Sequence, residues 1–159
     1  DGVPRSIYTE QEGELITHEH WWIADEHGDD QMVFCGGTHP KPTEDADVKV
    51  INVRTGAVRI LGSGSWWPEA TAEELAKRNF WHCAGSANGR WVVADNWHGD
   101  ITIFEGRTVR PHVLTAGHRT YGRGDHPHVG WDRKGRQVVF TSGMLGDSNV
   151  CVAAIPEKW

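Results

Sequence analysis

The sequence predicts an all-β fold, a β-propeller of four-stranded blades, and three observations lead there. Short β-branched and aromatic runs alternate with turn residues, and the 19 glycines and 9 tryptophans suit strands joined by tight turns. One segment recurs: His82-Cys-Ala-Gly-Ser-Ala-Asn-Gly-Arg-Trp-Val-Val-Ala-Asp95 aligns with His128-Val-Gly-Trp-Asp-Arg-Lys-Gly-Arg-Gln-Val-Val-Phe-Thr141. His82 to His128 and Gly89 to Gly135 both span 46 residues. A period of roughly 40–50 residues with four strands per unit marks propeller blades. A β-sandwich would not repeat a histidine at the head of each unit.

The elements follow in order. A looser copy of the repeat opens at His18-Glu-His-Trp-Trp22 and returns through Gln31-Met-Val-Phe-Cys35, its turn lengthened by the acidic stretch Asp25–Asp30. Lys49–Val53 and Val58–Leu61 flank a Thr55-Gly56 turn and make the next hairpin. Thr71 and Glu74 have the form of a capping box before good helix formers, so a short helical insertion is expected near 71–78, after the loop Ser65-Trp66-Trp67-Pro68. The hairpin of residues 82–95 turns at Asn88-Gly89, which supplies positive φ. Asp100–Phe104 pairs with a strand from Val109 onward across Glu105-Gly106, and a closing strand runs over Asn149–Ile155.

At about 45 residues per blade, residues 1–159 form a single, partial propeller domain of roughly three blades. Propellers close with about four blades or more. The remaining blades are expected from a longer chain, from associated pieces or from self-association, and Asp1 in place of an initiator methionine fits a processed or partial chain.

Hydrophobic residues at 38% and charged ones at 24% are ordinary for a globular domain. The formal charge of −6, without a basic stripe, argues against nucleic acid. An acidic ligand then needs locally placed arginines, and Arg119 and Arg123 lie nearest the histidine cluster in sequence. Cys35, Cys83 and Cys151 are odd in number and lack CxxC spacing, so buried free thiols are expected. No run of 18 apolar residues spans a membrane, and no signal peptide opens the sequence.

The ten histidines carry the functional signal through their placement. Residues two apart on a strand share a face, which pairs His18 with His20 and His126 with His128. His82 matches His128 in the repeat, and equivalent strand starts aim these side chains at one axial pocket. Imidazole is a good ligand for first-row divalent ions such as manganese, iron, nickel, copper and zinc. His27, His39, His98 and His112 take the blander reading of surface or structural residues, while His118, just before the loop 120–125, stays open. Trp91 and Trp131 are expected between blades. Trp21, Trp22, Trp66 and Trp67 offer a sugar-stacking platform or ordinary packing.

Several of these segments resemble a known family. Thr17-His-Glu-His-Trp21 is similar to the Thr-His-Glu-x-Trp signature of oligogalacturonate lyases. Phe80–Asp95 resembles their histidine segment with its Asp-Gly-Arg turn. His126-Pro-His-Val-Gly-Trp131, Val138–Ser142 and Asn149-Val150 resemble their His-Pro-His blade, and the matches keep their order over roughly residues 14–155. The resemblance implies a seven-bladed propeller that uses manganese to cleave short pectin fragments by β-elimination. It implies His82, His126 and His128 as metal ligands. It further implies His18 as the base that removes the C5 proton, with His20 the spare candidate, and a cytoplasmic setting, a secreted variant staying open. The family's fourth ligand, a glutamine three residues before the His-Pro-His pair, is replaced by Arg123, which leaves that place to a water or to Asp125.

Such chemistry needs these residue types. The C5 proton lies α to a uronate carboxylate and becomes removable once that charge is neutralised, the task of a Lewis acid. Arg119 or Arg123 is expected to hold a carboxylate by a bidentate contact, and Trp21 to pack on the sugar. The alternatives are a non-catalytic TolB-like propeller that binds a partner, a relative acting on another uronate polysaccharide, and a metal-dependent hydrolase, for which the cluster largely lacks carboxylates.

Overall fold

A computed structural model describes residues 2–37, 46–62, 80–96, 99–118 and 127–159. Eleven strands form antiparallel sheets that succeed one another along the chain, and no helix occurs among the described residues. The first blade runs β1 (Thr17–Trp21), β2 (Gln31–Gly37), β3 (Ala46–Asn52) and β4 (Val58–Gly62) in simple up-and-down order. The second repeats it with β5 (Phe80–Gly85), β6 (Trp91–Asn96), β7 (Ile101–Glu105) and β8 (Pro111–Thr115). The third holds β9 (Gly130–Trp131), β10 (Gln137–Ser142) and β11 (Asn149–Ala154). This is a partial β-propeller, as the repeat predicts. The helical insertion expected near 71–78 and the Trp66-Trp67 loop lie outside the described residues.

The 46-residue period holds at the level of single strand pairs. Ala84 pairs with Val93 and Gly130 with Val139, while Gly85 pairs with Val92 and Trp131 with Val138. One expected boundary moves. The strand predicted from Val109 begins at Pro111, because Val109 itself takes a positive φ of 56° in the turn.

Strand β5 packs against both β1 and β9, so the first strands of the three blades lie side by side. Blade 2 is apolar on both faces, and β6 is buried at every position. Val92, Ala94, Cys83 and Phe104 meet Val33, Cys35, Val48 and Leu61 of blade 1. On the opposite face, Trp91, Val93, Ile101 and Ile103 meet Val129, Val138 and Phe140 of blade 3. Trp131 donates from Nε1 to the Ala84 carbonyl at 2.8 Å, and Trp22 to the Ser86 carbonyl at 3.1 Å, so an indole stitches each interface. Trp91 and Trp131 thus sit where the sequence places them. Trp22 takes the packing role: it is wedged against Gly85 and Gly106 of blade 2.

The first strands of blades 1 and 2 share an irregularity. In β1, His18 and Glu19 stand opposite the single residue Phe34. In β5, Trp81 and His82 stand opposite Asp95. Each is a β-bulge, which bends the strand and re-aims its side chains. Both lie where β1 and β5 adjoin, and they build the site described next.

Candidate functional site

His18, His82 and His128 come together from three different blades. His82 is central: its ring centroid lies 4.1 Å from that of His18 and 3.9 Å from that of His128, while the outer two are 6.2 Å apart. His82 is buried, and its Nδ1 lies 2.8 Å from Oδ2 and 3.1 Å from Oδ1 of Asp95. The His82 backbone N–H also donates to Asp95 Oδ1 at 2.7 Å, and that of His128 donates to Oδ2 at 3.2 Å.

Two of the three histidines hold uncommon backbone. His18 has φ of 58° and His128 of 46°, left-handed values that cost an L-residue about 1–2 kcal/mol. Histidine tolerates this region better than most side chains, and such strain gathers at functional sites. The His18 ring is further held by Thr17, whose Oγ1 lies 2.8 Å from Nδ1, and by the edge of Trp81 at 5.2 Å between centroids. Burial, then the neighbouring His82, push the His18 imidazole below the usual histidine pKa of 6.5.

The remaining expected residues divide plainly. His20 does not join the cluster's face as the alternation rule implies: the bulge falls between it and Thr17, and its side chain is exposed. Trp21 is 64% exposed at the end of β1, free to meet a ligand from solvent. His126, Arg119, Arg123 and Asp125 lie outside the described residues. Among the described residues, no group of three or more His, Cys, Asp or Glu side chains is arranged to hold a metal ion. His82 and His128 supply imidazole donors of the expected type, and they fit part of a ligand set whose third expected member is His126.

An oligogalacturonate lyase in complex with manganese superposes with a TM-score of 0.66 at 23% identity, over 97% of this chain and 39% of that one. An oligogalacturonate lyase from Vibrio parahaemolyticus gives 0.64 at 21% identity, over 98% of this chain and 39% of that one. This chain shares their fold. It spans about two fifths of the length of either. No protein-family model and no curated protein matches the sequence.

Asp95 is the site residue that sequence reasoning passes over. Its signal is present, since a carboxylate inside the apolar run Trp91-Val-Val-Ala-Asp95 demands a partner once buried. Blade 3 carries Thr141 at the matching position, so the repeat by itself gives Asp95 no emphasis. His118, left open by the sequence, is buried between β8 and β10, with Nδ1 2.8 Å from Ser142 Oγ and Nε2 3.1 Å from Thr115 Oγ1. Cys35 and Cys83 are buried free thiols, as expected, and burial raises the Cys35 pKa.

Proposed function

We propose that this chain is part of a metal-dependent lyase that cleaves oligogalacturonate, and so contributes to pectin degradation. The observation that carries the reading is the convergence of His18, His82 and His128 from three blades, in a fold shared with two oligogalacturonate lyases. His82, His128 and His126 are the proposed ligands of a divalent ion, and manganese is the choice suggested by the relative in complex with it. When bound, the ion would supply Lewis-acid neutralisation of the uronate carboxylate. Because closure takes about four blades or more, further blades outside these residues belong to the proposal.

His18 is the proposed base. It stands beside His82 rather than among the proposed ligands, and its partly buried ring favours the neutral imidazole that accepts a proton. In the reaction His18 takes the C5 proton, the C4–oxygen bond breaks, and a C4–C5 double bond forms. The departing oxygen takes a proton from solvent water and leaves as a new sugar hydroxyl, and His18 returns the C5 proton to solvent. Arg119 or Arg123 is the proposed cation for a second carboxylate, and Trp21 the exposed face for a sugar ring. His20 is the reserve base, although its exposure favours His18.

The second reading, a propeller that binds without turnover, draws on Arg123 in place of the family's glutamine ligand and on a chain that spans about two fifths of either lyase. Two variants separate the readings. His18→Ala is expected to keep manganese binding by calorimetry and to lose the ultraviolet absorbance of the unsaturated product. The double variant His126→Ala, His128→Ala is expected to lose both. A complete propeller, this chain together with its further blades, that binds manganese yet yields no unsaturated product from oligogalacturonate sinks the lyase reading.

A further inference from the structure

Asp95 is fully buried, next to last in a strand whose every residue is buried. A carboxylate in such a place persists only when hydrogen bonds replace its lost hydration. Here three nitrogens surround its two oxygens: the backbone and Nδ1 nitrogens of His82 and the backbone nitrogen of His128. An ionised carboxylate can only accept. Facing such an acceptor Nδ1 of His82 carries a hydrogen, which in the neutral ring leaves the lone pair to Nε2, itself buried from solvent. The bond to His128 reaches into blade 3, at a residue whose left-handed backbone needs holding.

We infer that Asp95 is the positioning residue of the histidine cluster. It fixes His82 in the Nδ1–H tautomer, with Nε2 as the donor atom, and ties the start of blade 3 to blade 2 through the His128 amide. Its consequence for metal rests on the proposed lyase reading; its consequence for the His82 tautomer does not. Carboxylates behind ligating histidines work this way, and their removal weakens metal affinity about 10–100-fold.

Asp95→Asn tests this at nearly constant volume. Asparagine has a single acceptor oxygen, so in either orientation its NH2 group faces one of the N–H groups that the two carboxylate oxygens now accept. The experiment is nitrogen–proton correlation spectroscopy of the histidine rings in the metal-free chain, followed by manganese titration. The parent chain is expected to show His82 as Nδ1–H, the variant to lose that signature, and manganese affinity to fall about 10–100-fold. A parent His82 in the Nε2–H form overturns the inference and needs no variant, so a poorly folding substitution does not shield it. A folded variant that keeps both tautomer and affinity overturns it as well. If the parent chain takes up no manganese, the metal reading falls, and the tautomer comparison alone still decides the role of Asp95.

Discussion

A histidine removed from water answers to pH even when it touches no substrate, and His118 is the clean case. Its ring packs 4.7 Å from that of Phe140 and is hydrogen-bonded by Ser142 and Thr115, so it links β8 to β10 in one direction each. Burial lowers its pKa below 6.5, against a smaller opposing pull from Asp100. In the folded chain His118 stays neutral where the unfolded chain already binds a proton. Its contribution to stability is therefore full above the unfolded value and is lost as pH falls from there through the folded value. Urea midpoints measured from pH 7 downward are expected to fall, and His118→Gln is expected to flatten that fall while lowering the midpoint at pH 7. Equal pH slopes in parent and variant would remove His118 from the account.

At the scale of elements, two glycines give a matched pair. Gly85 ends β5, and a Cβ built there meets Trp22 Cδ1 at 2.1 Å. The indole cannot stay, and with it goes the bond to the Ser86 carbonyl, so Gly85→Ala is expected to cost about 1–3 kcal/mol, the usual range for overpacking. Gly130 takes the place that Ala84 holds one repeat earlier, and its added Cβ would lie an ordinary 3.4 Å from Val139 Cγ1. Gly130→Ala is expected to stay within about 0.5 kcal/mol of the parent. Urea denaturation compares them, and a similar cost for both would show that Trp22 is not fixed at the interface. The alternating runs and the Asn88-Gly89 turn made most strands legible because period and positive φ are written in residue types. The bulges at His18-Glu19 and Trp81-His82 were not, since one extra residue leaves composition and hydrophobicity unchanged. Yet that extra residue separates His18, inside the cluster, from His20 in solvent.

At the scale of the molecule, blade 2 is a shared wall. The repeat foretold three neighbouring blades and matching places for His82 and His128, whose rings meet 3.9 Å apart, because register follows from spacing. It could not reveal Asp95, whose role depends on His82 and His128 nitrogens meeting across two blades. The same wall governs how the chain comes apart. Phe104 fills the blade 1 interface so closely that a Cβ on Gly62 would sit 2.2 Å from its Cε1, and Trp91 is buried against blade 3. Phe104→Ala and Trp91→Ala open cavities on opposite faces of one blade, and each is expected to cost about 3–5 kcal/mol. Because both faces hang on β6, the parent chain is expected to unfold in one transition, with tryptophan fluorescence and far-ultraviolet circular dichroism coincident. Each truncation should move both probes together to a lower midpoint. If Phe104→Ala instead splits the curve, with blade 1 leaving first and the blade 2–blade 3 pair melting at the parent midpoint, the blades are independent units. The histidine cluster, which spans all three, would then come apart in stages, and His18 would leave while His82 and His128 remained together.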